Sequence, residues 1–164
     1  HYVMDFYYTR SWNYSYDEWL QVFAVNLHST FSLAKALAPG MIERKCGSII
    51  ALGGMASLTA SPSGSATAAS KHGLYGFIKS LAVELGPYGI RANLIAVGSI
   101  GTERRNPEWY LPGETPSAEH EHTALQRGGT TQEIADVVLF LASDASSYIT
   151  GDRIACTGGR YPGM

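Results

Sequence analysis

Thr67 and Lys71 lie four residues apart, one helical turn, in a stretch whose apolar residues recur at helical spacing. A lysine so placed can shift the ionisation of a group beside it by a few units, yet a lone Thr-x-x-x-Lys specifies no reaction. Asn26 occupies an earlier helical stretch, and Gly53-Gly54 stops a short apolar run between the two. Ser57, Ser61, Ser63 and Ser65 crowd the small-residue segment that follows, and their hydroxyls are candidate donors. Serines in such a segment more often line a tight turn. His120 and His122, with Glu119 and Glu121, have the look of a metal cluster, but they fall in a polar loop where solvated residues are expected anyway. Arg104-Arg105 reads either as a contact for an anionic substrate or as a surface charge pair. Cys46 and Cys156 are too far apart for metal-ligand or redox spacing and read as reduced, buried small hydrophobes.

The elements that must position these residues alternate along the chain. Ser15-Tyr16-Asp17-Glu18 is a capping box. Behind it Trp19, Val22, Phe23, Leu27, Phe31, Ala34 and Leu37 mark one helix from Asp17 to Lys45, closing or kinking near Pro39-Gly40. Ser48 to Leu52 is apolar enough for a buried parallel strand. Thr67 to Leu85 is a second helix, with Lys71, Leu74, Ile78, Leu81 and Leu85 marking one face and Gly86-Pro87 ending it. Ile90 to Val97 is a second strand. Thr130 to Glu133 is another capping box, leading a third helix through Ile134, Val137, Val138 and Leu141, and Ile149 to Thr157 is a last strand. Strands alternating with helices of this length predict an α/β fold, a parallel sheet with flanking helices in one domain over residues 1–164.

The bulk numbers set limits. A chain of 164 residues with 45% apolar and 16% charged content is long enough to bury a core. A net charge of −2 does not point to nucleic acid or an acidic membrane. No apolar run approaches the ~18 residues of a membrane helix and no signal peptide pattern opens the chain, so the cytoplasm is the default expectation. A start at His1 suggests a processed product or a fragment.

Several ordered segments together resemble the short-chain dehydrogenase/reductase family. They are Trp19 with Val25-Asn26-Leu27, Gly47 to Gly54, Ser65 to Lys71, Ile90-Arg91-Ala92-Asn93 with Gly98, Arg127-Gly128-Gly129, and Leu139 to Asp144 running on through Tyr148-Ile149-Thr150-Gly151. The resemblance spans Trp19 to Gly159 and implies the C-terminal half of a Rossmann-like fold, with about three strands and three main helices. It implies NAD or NADP as cofactor and an alcohol or carbonyl as substrate. The family's proton-relay asparagine and its lysine map to Asn26 and Lys71. Its catalytic tyrosine and serine map to Thr67 and Gly54. Lys71 reads either as the residue holding the nicotinamide ribose or as a solvated helix lysine, while Gly98, Ile100 and Thr102 fall in the loop that meets the carboxamide, where Val97 replaces a proline.

Those replacements set the functional expectation. A phenol starts near pH ~10 and an adjacent ammonium can tune it, whereas an aliphatic hydroxyl does not titrate in any useful range. Gly54 offers no donor at all. The expectation is therefore a catalytically impaired protein acting as a non-catalytic or structural subunit, the alternative being an oxidoreductase that uses another proton donor. Residues 1–50 contain no glycine-rich phosphate loop, so against the family the chain begins just past the fourth strand and has no dinucleotide grip of its own. The strand at Ser48 should then expose an open edge. Helices 17–45 and 67–85 are the expected faces of a homo- or hetero-oligomer.

Overall fold

Ile90, Ala92, Leu94 and Ala96 occupy alternate positions, so in an extended chain they share one face. All four are buried. They belong to β2 (Ile90–Val97), the centre of a three-stranded parallel sheet in the order β1-β2-β3, flanked by β1 (Gly47–Leu52) and β3 (Arg153–Cys156). The computed structural model describes residues 10–60, 64–101 and 123–160. Gly47 stands opposite Ile90 and Leu52 opposite Ile95, while Leu94 stands opposite Arg153. The second face of β2 is also buried. There Asn93 donates from Nδ2 to the Ile149 carbonyl at 2.8 Å and accepts the Asp152 amide on Oδ1 at 3.1 Å. Burial on both faces is why this strand shows so little polar alternation.

Helices α1 (Tyr16–Phe23), α2 (Ser29–Arg44), α3 (Ser65–Leu85) and α4 (Thr131–Ala142) flank the sheet. Leu74, Ile78, Leu81 and Leu85 of α3 join Ala34 of α2 and the even-numbered residues of β2 in one core cluster. On the opposite face Ser48 donates to the Leu141 carbonyl of α4 at 2.8 Å. Both capping boxes form, Ser15 with Glu18 and Thr130 with Glu133.

The structure corrects three expectations. The single helix over 17–45 is interrupted by a π-helical turn, Ala24–His28, in which the Ser29 amide reaches back to the Ala24 carbonyl. Phe23, Leu27 and Phe31 keep four-residue steps across this turn, so the pattern of side chains does not announce it. Of the two expected endings the later one holds: Pro39 lies inside α2, and the helix runs to Arg44 with Lys45 as its cap at a left-handed φ of 52°. The last strand is shorter than Ile149 to Thr157. Thr150 accepts the Ala92 amide on its hydroxyl and Gly151, at φ 73°, donates to the Ala92 carbonyl, so this stretch turns across the base of β2 before the ladder starts at Arg153. Cys46 is exposed and Cys156 half-buried, so neither is a core residue. Cys46 follows the left-handed end of α2, where the chain runs over the surface before β1.

Among the described residues no strand pairs with the outer edge of β1, and Leu52 at its end is 53% exposed. No helix among them is long and apolar enough to cross a membrane.

Candidate active site

The π turn, the start of α3 and the C-terminal end of β1 converge. Asn26, on the π turn, donates from Nδ2 to the Ser70 hydroxyl at 3.1 Å, and Ser70 donates onward to the Thr67 carbonyl at 2.9 Å. Ser70 is fully buried, a polar residue on the same stripe as Leu74 and Ile78. One residue on, Lys71 is half-buried and donates from Nζ to the Leu52 carbonyl at 3.0 Å. Burial lowers its pKa from the ordinary 10.5, because the charged form loses hydration. Asn26 and Lys71 are thus brought to one corner, with Ser70 between them.

Thr67 and Gly54 belong to the same corner but present little chemistry. Thr67 is 4% exposed. Gly54 opens the tight turn Met55–Ser57 at φ 81°, a conformation that strains any residue with a Cβ even though the nearest atom to such a carbon, the Val97 carbonyl oxygen, is 3.8 Å away. The crowded serines are occupied locally. Ser57 donates to the Gly54 carbonyl at 2.7 Å, and Ser65 accepts from Ser11 at 2.9 Å. Ser61 and Ser63 lie outside the described residues. Arg153 donates to the Ser57 carbonyl, and its guanidinium stacks 4.7 Å from the centre of the Tyr75 ring, which also has Lys79 at 5.6 Å. Tyr75 is therefore drawn toward β3.

The loop after β2 shows which of its atoms are spent. Gly98 lacks a side chain because a Cβ there would sit 2.6 Å from the Thr157 Cα, a packing reason independent of any ligand. Ile100 bridges Gly129 in parallel register through the Ser99 carbonyl and the Gly101 amide. In a parallel bridge the central residue's own amide and carbonyl point the opposite way. Those two groups of Ile100 are therefore turned away from Gly129. A cavity of about 250 Å³ lies on the β3 side of this loop, lined by Ile100, Arg127, Glu133, Cys156 and Thr157 among others. Arg127 and Glu133 pair there at 2.6 Å; Glu133 is held down to about 2, first by hydrogen bonds from Arg127 and then by the Thr130 amide. Burial and the Glu133 charge push the Cys156 thiol up.

A nicotinamide is consistent with what is present. Lys71 has three donors and spends one on Leu52, leaving two for ribose hydroxyls or another acceptor. The outward amide and carbonyl of Ile100 are a donor–acceptor pair of the kind a carboxamide requires. Thr102 lies outside the described residues, as do Arg104, Arg105 and the His120–His122 group. Reading the sequence missed Ser70 and Arg153. The signal for Ser70 was a hydroxyl on an otherwise apolar helical stripe; Arg153 carried none, since its contacts come from α3 and the 55–57 turn.

The chain is similar to known proteins over nearly its whole length. The family described as enoyl-(acyl carrier protein) reductase matches residues 6–160. The 3-oxoacyl-(acyl-carrier-protein) reductase FabG of Salmonella typhimurium is 39% identical over 145 residues, covering 88% of this chain and 58% of that protein. A 3-oxoacyl-(acyl-carrier protein) reductase from Brucella melitensis, solved with bound NAD, superposes with a TM-score of 0.85 at 38% identity, over 96% of this chain and 57% of that one. A 4-hydroxyisoleucine dehydrogenase complexed with NADH superposes with a TM-score of 0.85 at 32% identity, over 96% and 65%. The chain thus spans less than two thirds of the length of these relatives. With the parallel sheet, the Asn26–Ser70–Lys71 corner and this match over nearly its whole length, the chain belongs to the short-chain dehydrogenase/reductase family.

Proposed function

We propose that this chain serves in a nicotinamide-dependent oxidoreductase that interconverts an alcohol and a carbonyl, with a 3-oxoacyl thioester as the substrate class. The observation that carries the reading is Lys71, half-buried on the Leu52 carbonyl beside the Asn26–Ser70 bond. When bound, the reduced nicotinamide supplies the hydride. The chain's own residues do the rest: Lys71 offers two donors to ribose or substrate oxygen, and Asn26 and Ser70 hold the π turn against α3. The similarity to 3-oxoacyl-(acyl-carrier-protein) reductases supports the substrate class. The test is titration of NADH and NADPH fluorescence, followed by turnover of a 3-oxoacyl thioester monitored by loss of that fluorescence. Saturable binding with turnover is expected; binding at neither cofactor together with no turnover would overturn the reading.

A second reading is favoured by Gly54 and Thr67, which supply neither a phenol nor an exposed hydroxyl. On it the chain is a non-catalytic subunit of a homo- or hetero-oligomer built through helices 17–45 and 67–85. Phe31, Leu33 and Leu37 of α2 and Val83 of α3 are more than half exposed, which supports such a role. Thr67→Tyr discriminates between the readings. A large gain in turnover from that single change favours the silent subunit, whereas an unchanged or reduced rate favours a different donor already in place.

A further inference from the structure

A carbonyl reduction needs a proton as well as a hydride, and few of the described groups at this corner can part with one. Thr67, Ser57 and Ser70 are aliphatic alcohols, each buried, and Ser57 and Ser70 donate to backbone carbonyls. Tyr75 sits between Arg153 and Lys79 on the side facing β3. Cys156 lies beyond the loop after β2, in the cavity with Glu133. That leaves Lys71.

Its placement suits the task. Side chains on a helix lean toward the N-terminus, so the Lys71 stem runs back over the turn that contains Thr67. The Nζ is fixed at 3.0 Å from a neutral acceptor, the Leu52 carbonyl, two residues before Gly54, and no described carboxylate pairs with it. On its own helix the neighbouring titratable groups are His72, whose Nδ1 lies 2.9 Å from the Ala68 carbonyl, and Tyr75 and Lys79, which contact each other. From β1 and the 55–57 turn come only backbone and hydroxyl groups; from the π turn comes the Asn26 amide; from β3 comes Arg153, stacked on Tyr75. Among the described residues nothing acidic holds the lysine proton.

We propose that Lys71 is itself the proton donor to the substrate oxygen, a role that rests on the oxidoreductase reading above. The carbonyl carbon accepts a hydride from the reduced nicotinamide and the C=O π bond opens. The freed electron pair on oxygen takes a proton from the Lys71 ammonium, leaving a neutral amine that solvent reprotonates. In the reverse direction the neutral amine takes the alcohol proton. Desolvation moves the lysine toward the range where it can exchange that proton.

The full chain is assayed with a 3-oxoacyl thioester and NADPH or NADH, as wild type, Lys71→Arg and Tyr75→Phe. Arginine keeps the positive charge and hydrogen bonds but does not release a proton in any working range. Lys71→Arg should lose about 100-fold or more in kcat and keep cofactor affinity within about tenfold. Tyr75→Phe should stay within about threefold of wild type. The reductive rate of wild type should fall as pH rises through one titration, and NMR titration of the lysine ε-methylene carbon should report the same midpoint. Active wild type with an equally active Lys71→Arg, or a collapse in Tyr75→Phe instead, overturns the donor assignment while leaving the oxidoreductase reading in place. A wild type with no turnover sinks that reading, and the donor role with it.

Discussion

Two corners of this molecule handle a cation in opposite ways. At the end of β1, Lys71 is half-buried and held by a neutral carbonyl, next to a buried chain of neutral bonds from Asn26 through Ser70 to Thr67. At the end of β3, Arg127 is exposed and locked to Glu133 by two hydrogen bonds, at 3.0 and 2.6 Å, while the same carboxylate completes the cap of α4. Pairing stabilises the charge of Arg127, whereas burial without a counter-charge weakens that of Lys71. A cation committed to a carboxylate is a structural tie. One left on a carbonyl remains available for chemistry.

On this contrast, the largest stability change comes from the neutral chain. Ser70→Ala should cost about 1–2 kcal/mol, because the fully buried hydroxyl serves both the Asn26 amide and the Thr67 carbonyl. The midpoint of urea unfolding measures this, and a loss indistinguishable from zero would mean the bond holds nothing.

The next effect is in alkali. The folded-state pKa of Lys71 lies below its ordinary 10.5, so between those two values the unfolded chain binds more protons and stability rises with pH. Lys71→Met should flatten that rise when unfolding free energy is followed from neutrality to about pH 10.5. A slope unaltered by the substitution would show that burial does not perturb this lysine.

The smallest effect belongs to the open pair. Glu133 has its folded pKa lowered to about 2 from 4.5, so whatever it contributes is present above pH 4.5 and disappears as pH falls toward 2. Solvent screens an exposed pair, so Glu133→Gln should alter thermal stability little at neutral pH and reduce the steepness of the acid limb. Added salt should shrink the difference further. A large neutral-pH loss that survives salt would reverse the ranking of the two corners.

The parallel α/β order, both capping boxes, and the boundaries of β1, β2 and α3 within two residues were legible in the sequence. They depend on periodicity and on side chains that act on their own neighbours. Ser15 reaches Glu18 and Thr130 reaches Glu133 across a single turn, so spacing alone finds them. Asn26, Gly54, Thr67 and Lys71 were singled out as members of ordered motifs, and the fold brings Asn26 and Lys71 to one corner. The π turn under Asn26 was not legible, because it is a change of hydrogen-bond register that no residue type marks. The late start of β3 escaped for a related reason: Thr150 and Gly151 bond to Ala92, far away along the chain.

By itself, then, the sequence determined the element order and the residue types at positions 26, 54, 67 and 71, including the absence of a phenol at position 67. Only the tertiary structure decided what those groups touch. It put Ser70 between Asn26 and Thr67, turned Tyr75 onto Arg153, and set the Lys71 ammonium on the carbonyl of Leu52. Burial and partners across the fold depend on which distant segments meet, and that is settled by packing, not by local spacing.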